Sequence, residues 1–296
     1  MKKKMTLISA KIEDFPTEFW RKNIPEMADF EFIHYDSDRD NLNKHWREIL
    51  KTSDGIIIDR EISSHVLPLI NGVPRRIGEI QCIDVMAKDP RGNWWPECFF
   101  REALHEGIIK SAEDLDTSAS GYLTGEGSLM RVGMSVLVQL GFRKINLVLE
   151  NPEDFETLSD SFKRLYFDTD IRLMRNTDLT LQKNDGTILI NTVKLRQHPE
   201  LQEDLTYLNF IIGAGLVVDT QGDRLTNPVL DEALNVGLRI LPGCDVQSAA
   251  DWQVLNTILG GLQVSQTEFV KKWGEFVKTS YMNEKPDISP VTKEGR

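Results

Sequence analysis

Two glycines one residue apart, Gly125 and Gly127, follow the apolar run Ser120-Gly121-Tyr122-Leu123 and precede a helical pattern that starts near Leu129. A dinucleotide needs such an order. The first glycine makes the tight strand-to-helix bend, the second lets the backbone approach a pyrophosphate, and a third small residue lets the helix pack on the sheet. Here Met130 stands in the third position. Glu126 lies between the glycines, where a carboxylate opposes the anion that a helix N-terminus attracts. Glu150, 25 residues beyond Gly125, is an acid suited to accept from a ribose 2'-hydroxyl. Gly125, Gly127 and Glu150 are therefore the candidate cofactor residues, in a turn that has lost part of its binding chemistry.

Other chemistry is sparse. Trp94-Trp95-Pro96, with Phe99 and Phe100 close behind, is a rigid aromatic segment. Trp94 and Trp95 would anchor a protein partner if exposed and fill a cleft if buried, and the large apolar character of the segment favours a filled cleft. None of the five histidines, His65 and His105 included, has a carboxylate or serine at a spacing that reads as a catalytic pair. The three cysteines, Cys82, Cys98 and Cys244, are odd in number and widely spaced, so they read as buried reduced thiols, and no metal site is expected.

The elements that must position these residues alternate. Strands are expected at 5–12, 30–35, 55–58, 81–86, 144–149, 187–192 and 210–218. Helices are expected at 15–23, 41–52, 99–107, 129–140, 153–166, 227–236 and over the long stretch 247–282. This order makes the fold class α/β. At 296 residues, 40% of them hydrophobic and 27% charged, the chain is long enough for two domains of ordinary size. The excess of 46 acidic over 35 basic residues, a net charge of -11, argues against nucleic acid. The basic start Met1-Lys2-Lys3-Lys4 is followed by too short an apolar run for a secretory or membrane segment, so a cytoplasmic protein with no membrane partner is expected.

Over residues 50–275 the order of features resembles the shikimate dehydrogenase family. The resemblance rests on Arg76-Ile77-Gly78-Glu79-Ile80-Gln81-Cys82-Ile83, on 141–158, on Asp219 with Asn227-Pro228-Val229-Leu230, and on Gly243 to Ala250. It implies a substrate-type α/β domain over 1–112 plus 245–282 and a Rossmann-like, doubly wound domain over 113–244. The C-terminal helices would pack back on the first domain, and 283–296 would be a disordered tail.

The family reduces a keto group with NADPH, using a Lys and an Asp. The aligned residues here are Ser63 and Pro96, and proline can neither accept a proton nor polarise a hydroxyl. The family's substrate-binding Ser-x-Ser-Pro appears as Glu13-Asp14-Phe15-Pro16, and its late Gln falls on Ser248, with Gln247 one residue early. Glu150 stands where the resemblance implies an Arg for the 2'-phosphate. These departures imply a catalytically inactive binding, scaffold or regulatory module with no catalytic residue. No cofactor is expected, NAD being the dinucleotide left open. The partner would be a protein or small regulatory ligand, and a homodimer is compatible with the sequence. The alternative is an NAD(P)-dependent oxidoreductase with an altered substrate, using Asp59, Arg60 or Glu97.

Overall fold

The computed structural model describes residues 2–9, 16–24, 27–34, 39–222 and 225–283. Two sheets organise the chain. The first has the order β2-β1-β3-β4-β5, built from β1 (Lys3–Ser9), β2 (Ala28–His34), β3 (Gly55–Ile58), β4 (Val85–Lys88) and β5 (Trp94–Glu97). β1 runs parallel to β2 and β3, whereas β4 and β5 form an antiparallel hairpin. Its turn is closed by the Asp89 carboxylate, which accepts from the Arg91 and Asn93 amides at 2.8 Å each.

The second sheet has the order β11-β10-β9-β6-β7-β8 and is parallel throughout. Its strands are β6 (Ser120–Thr124), β7 (Lys144–Leu149), β8 (Asp170–Arg175), β9 (Gly186–Asn191), β10 (Ile211–Asp219) and β11 (Arg239–Leu241). Every residue of β6 and β9 is buried, as expected for central strands covered by helices on both faces. The described helices are α1 (Thr17–Asn23), α2 (Arg39–Thr52), α3 (Ser63–Val66), α4 (Arg75–Ile80), α5 (Phe99–Ser111), α6 (Gly127–Leu140), α7 (Glu156–Leu165), α8 (Pro199–Leu205), α9 (Pro228–Asn235), α10 (Gly243–Leu259) and α11 (Gln266–Asn283), and one apolar core runs through α5 and α6 from Ile56 and Phe100 to Leu123 and Ile188.

The α/β class, with two sheets, is as the sequence implies, and several boundaries differ for identifiable reasons. The short strands β5, β8 and β11 were not expected, because their residues mix charge with aromatics or carry too few apolar positions for a strand pattern. The strand expected at 81–86 starts only at Val85, since Gln81 is the left-handed C-cap of α4 (Arg75–Ile80), with φ 50°. Helix α5 continues past Gly107 to Ser111. That glycine lies against Leu241, whose Cδ2 a Cβ would meet at 3.0 Å, so it serves packing rather than termination. The expected 247–282 helix is two helices, α10 (Gly243–Leu259) and α11 (Gln266–Asn283). They are separated at Gly260 and Gly261, whose φ values of 75° and 125° end a right-handed helix. The outer parts of the expected first strands and helix, residues 10–12, 15 and 35, lie outside the described residues, as does the tail beyond Asn283.

Helices α10 and α11 return to the first sheet. Val254, Leu255, Ile258, Phe269 and Trp273 join Met5, Leu7, Phe19 and Trp20 in a second buried cluster. Phe19 meets Phe269 and Trp273 edge to face, at centroid separations of 5.2 and 5.0 Å. The return is made by Gly243, where a Cβ would meet the Gln221 backbone carbonyl oxygen at 2.1 Å. Gly243→Ala should therefore destabilise by about 1–3 kcal/mol through overpacking against rigid backbone. Chemical denaturation measures this directly, and an unchanged midpoint would show that the α10 start moves freely.

Candidate functional site

The turn from β6 to α6 is built as the sequence implies. Gly125 has φ 121°, and a Cβ there would meet Thr192 Oγ1 at 2.0 Å, while Gly127 has φ 66° with open space where a Cβ would stand. Both positions reject an L side chain on conformational grounds. Met130 is fully buried in the core, so it does not face the turn. Close helix-sheet contact is supplied three residues later by Gly133, where a Cβ would stand 2.6 Å from Leu123 Cδ1. Glu126 is the N-cap residue of α6 with no side-chain cap bond, and it is exposed. Its charge is therefore solvated and opposes an anion less than the sequence alone implies.

Around this turn is an open cavity of about 560 Å³, lined by the loops that follow β6, β7 and β9 and by Glu61 from the first unit. Glu150 lines it from the end of β7 and is joined by His198 Nδ1 at 3.0 Å. Lys194, in the loop after β9, reaches across the mouth to Glu61 at 2.6 Å. Gly125, Gly127 and Glu150 thus share one cavity. Lys194 and His198 were not anticipated, because their partners are distant in sequence.

The two positions aligned with the family's Lys and Asp are structural. Ser63 is fully buried, its hydroxyl donating to the Ile83 carbonyl at 2.8 Å and accepting from the Ile83 amide at 3.2 Å. Pro96 is buried in β5 opposite Met86.

Trp94 and Trp95 do not fill this cavity, contrary to the expectation of a filled cleft. Strand alternation turns them to opposite faces of edge strand β5. Trp94 is half-buried, donates to the Leu50 carbonyl at 3.2 Å, carries Lys88 Nζ 4.7 Å from its ring centroid, and lines a separate groove with Trp46. Trp95 is 45% exposed and donates to Glu97 at 2.9 Å. Glu97 pairs with Arg76.

A second, smaller cavity, about 30 Å³, lies between β3, β4 and α10 and is lined by Asp59, Arg60, Asp84, Gln247 and Asp251. Asp59 accepts from Ser9 Oγ at 2.8 Å and from the Glu61 amide at 3.0 Å. Asp84 accepts from the Phe99 and Phe100 amides at 3.0 and 2.6 Å, which caps α5 from outside the helix. Arg60 donates to Gln247 Oε1 and lies 4.1 Å from the Phe100 ring centroid. Gln247 Nε2 donates to Asp251 Oδ1 at 2.6 Å. The helical phase therefore gives the cavity to Gln247, while Ser248 bonds the Asp245 carbonyl of its own helix at 3.1 Å. Burial pushes Asp84 up to about 6 and Asp251 up to about 7, against the lowering effect of Arg60. Asp84 and Asp251 escaped the sequence reading because each is a lone acid in an apolar run, the pattern of Ile83-Asp84-Val85 and Ala250-Asp251-Trp252.

No family model matches the sequence, and no curated protein matches it either. Solved structures do match by fold. The quinate dehydrogenase of Corynebacterium glutamicum in complex with NAD superposes with a TM-score of 0.76 at 13% identity, covering 92% of this chain and 98% of that one. The shikimate dehydrogenase of Mycobacterium tuberculosis gives 0.70 at 13% identity, covering 92% and 99%. The shikimate 5-dehydrogenase of Thermus thermophilus in complex with NADP(H) and shikimate gives 0.69 at 13% identity, covering 94% and 100%. The chain has the shikimate dehydrogenase-like fold. Among the described residues no helix is long and apolar enough to cross a membrane.

Two outcomes follow from these placements. Trp94→Ala should cost about 2–4 kcal/mol and Trp95→Ala less than about 1 kcal/mol, measured by denaturation, because only Trp94 is packed and hydrogen-bonded through its core-facing edge. Equal losses would contradict the assignment of the two faces. The buried acids set a pH dependence. Their folded pKa values lie above 3.8, so the folded chain holds protons that the unfolded chain releases. Stability from this cluster is then lost as pH rises from about 4 through about 7. Asp251→Asn should gain melting temperature over the parent as pH is raised from 5 to 8, by roughly 2–4 °C per kcal/mol of relieved desolvation. A difference independent of pH would show that Asp251 is not a buried, protonating acid.

Proposed function

We propose that this chain binds a dinucleotide of the NAD type and acts as a non-catalytic binding or regulatory module on a shikimate dehydrogenase-like scaffold. The observation that carries the reading is the position of Glu150 at the end of β7, in the same cavity as the Gly125 and Gly127 turn. A carboxylate there accepts from a ribose 2'-hydroxyl and repels a 2'-phosphate. The cavity volume lies within the usual range for small-molecule sites. The residues present fit the group. The turn glycines would admit a pyrophosphate close to the backbone, the uncapped amides at the start of α6 would donate to it, and Glu150 would accept from the ribose. When bound, NAD supplies a hydride acceptor.

The chain's own residues do not supply the shikimate dehydrogenase reaction at its usual positions. Ser63 spends its hydroxyl on Ile83 backbone groups, and Pro96 has nothing to donate. Binding without turnover therefore accounts for both halves of the site. In this reading Trp94 stabilises the edge hairpin and Trp95 offers an exposed aromatic to a protein partner, a second copy of the chain included. A second reading, an NAD-dependent oxidoreductase with an altered substrate, is favoured by Asp84 and Asp251, buried acids whose proton affinity is raised towards neutral pH, with the Arg60 guanidinium beside them.

Calorimetric titration tests the proposal. NAD should bind, and NADP+ should bind at least about tenfold more weakly because its 2'-phosphate meets Glu150. Glu150→Gln should narrow that preference. Shikimate and quinate should not be oxidised with either cofactor, since each lost acid-base group typically costs about 10²- to 10⁴-fold. Tighter binding of NADP+ than NAD would overturn the cofactor assignment, and turnover at ordinary enzyme rates would overturn the non-catalytic one.

A further inference from the structure

The cavity between β3, β4 and α10 shares no lining residue with the dinucleotide cavity. Its polar groups are partnered with one exception. Asp84 takes two amide hydrogens, Asp59 takes a hydroxyl and an amide, and the Gln247 amide is shared between Arg60 and Asp251 Oδ1. Asp251 is 6% exposed, and its Oδ2 has no hydrogen-bond partner among the described residues. Below about pH 7 Asp251 holds its own proton; once that proton is lost, the unpartnered oxygen is a buried acceptor and marks a place where a donor belongs.

The charge of the surroundings decides which donor. Three carboxylates, those of Asp59, Asp84 and Asp251, face one guanidinium, that of Arg60, which already donates to Gln247 and stacks on Phe100. A cationic donor completes both the hydrogen bond and the charge balance, whereas a carboxylate ligand would add to the repulsion. Among the described residues no group of three ligating side chains is arranged to hold a metal ion, which leaves an organic cation. A volume of about 30 Å³ admits one head group the size of water or ammonium. A ligand must therefore enter head first, with the rest of the molecule outside.

We propose that this cavity is a binding site for the primary ammonium group of a small amine, held by Asp251 Oδ2 with the Asp84 carboxylate beside it. The site selects against acids, so its ligand differs in charge from the shikimate seen in the structural relative. The proposal stands apart from dinucleotide binding, since Glu150 and the glycine turn take no part in it.

Methylammonium chloride is the probe, titrated against the full chain at pH 8, where Asp251 is ionised, and followed by amide nuclear magnetic resonance, with sodium chloride of equal ionic strength as reference. Methanol and sodium acetate serve as neutral and anionic probes of similar size. Methylammonium should shift the Phe99 and Phe100 amides that report on Asp84 and the Gln247 side-chain amide that reports on Asp251. Methanol and acetate should leave them in place. Asp251→Asn keeps the shape and removes the charge, and it should weaken the methylammonium response roughly ten- to a hundredfold, the worth of one charge-assisted hydrogen bond. Gln247 and the two amides still give signals in that variant, so a folded state is verified in the same spectrum. If the variant fails to fold, Asp251→Glu carries the test, retaining the charge and part of the response. Equal shifts with methanol, shifts with acetate, no shift with methylammonium, or an undiminished response in Asp251→Asn would each overturn the proposal.

Discussion

A line of buried side-chain hydrogen bonds along the C-terminal edge of the second sheet holds the glycine turn after β6 in place. Thr192 Oγ1 donates to the Thr124 carbonyl at 2.6 Å, Thr124 Oγ1 donates to Asn191 Oδ1 at 2.8 Å, and Asn191 Nδ2 donates to Asp219 Oδ1 at 2.9 Å. Asp219 Oδ2 then accepts from Asn227 Nδ2 at 2.6 Å, and Asn227 Oδ1 caps α9 (Pro228–Asn235) through the Val229 and Leu230 amides at 3.0 Å each. Three strand ends and one helix start are fixed by one continuous chain. Parallel strands leave their last carbonyls and side chains pointing into one crevice, and without such a chain those buried polar groups would be unpaired. The close approach of Thr192 to Gly125 is part of the same line, so the glycine is demanded by the network as much as by any ligand.

The first unit uses a different device for the same problem. Asp84, at the start of β4, supplies the cap that Cys98, the N-cap residue of α5, does not. Arg60 balances that buried charge while its flat face packs on Phe100. Helix α5 in turn contacts α6, with Arg101 donating to Ser135 Oγ at 3.1 Å, so the same carboxylate that closes the small cavity also orients the helix joining the two sheets.

The fold was legible where hydrophobic period and glycine placement agree. The run 55–58, the strand 144–149 and the glycine turn at 125–127 all stand as read, because buried parallel strands and tight turns leave strong local patterns. The grouping of Gly125, Gly127 and Glu150 around one cavity was legible for the same reason. Asp251, Lys194 and His198 were not, since their meaning comes from residues 48 to 191 positions away or from across a fold, as Glu150 does for His198 and Arg60 for Asp251. Trp94 and Trp95 were misplaced because composition cannot tell a cleft from an edge strand. The alternation of faces on β5 separates two neighbouring rings that the sequence presents as one patch.

The Lys194–Glu61 pair joins the loop after β9 to the turn after β3 and is partly exposed on both sides. A contact of this kind is worth about 1 kcal/mol or less and is screened by salt. The two loops beside the open cavity are thus joined by a contact comparable in strength to thermal energy, while the frames on either side are held by buried networks. Added salt should therefore loosen the tie between these two loops well before it weakens either sheet, so the two halves of the cavity wall differ in how strongly they answer to ionic strength.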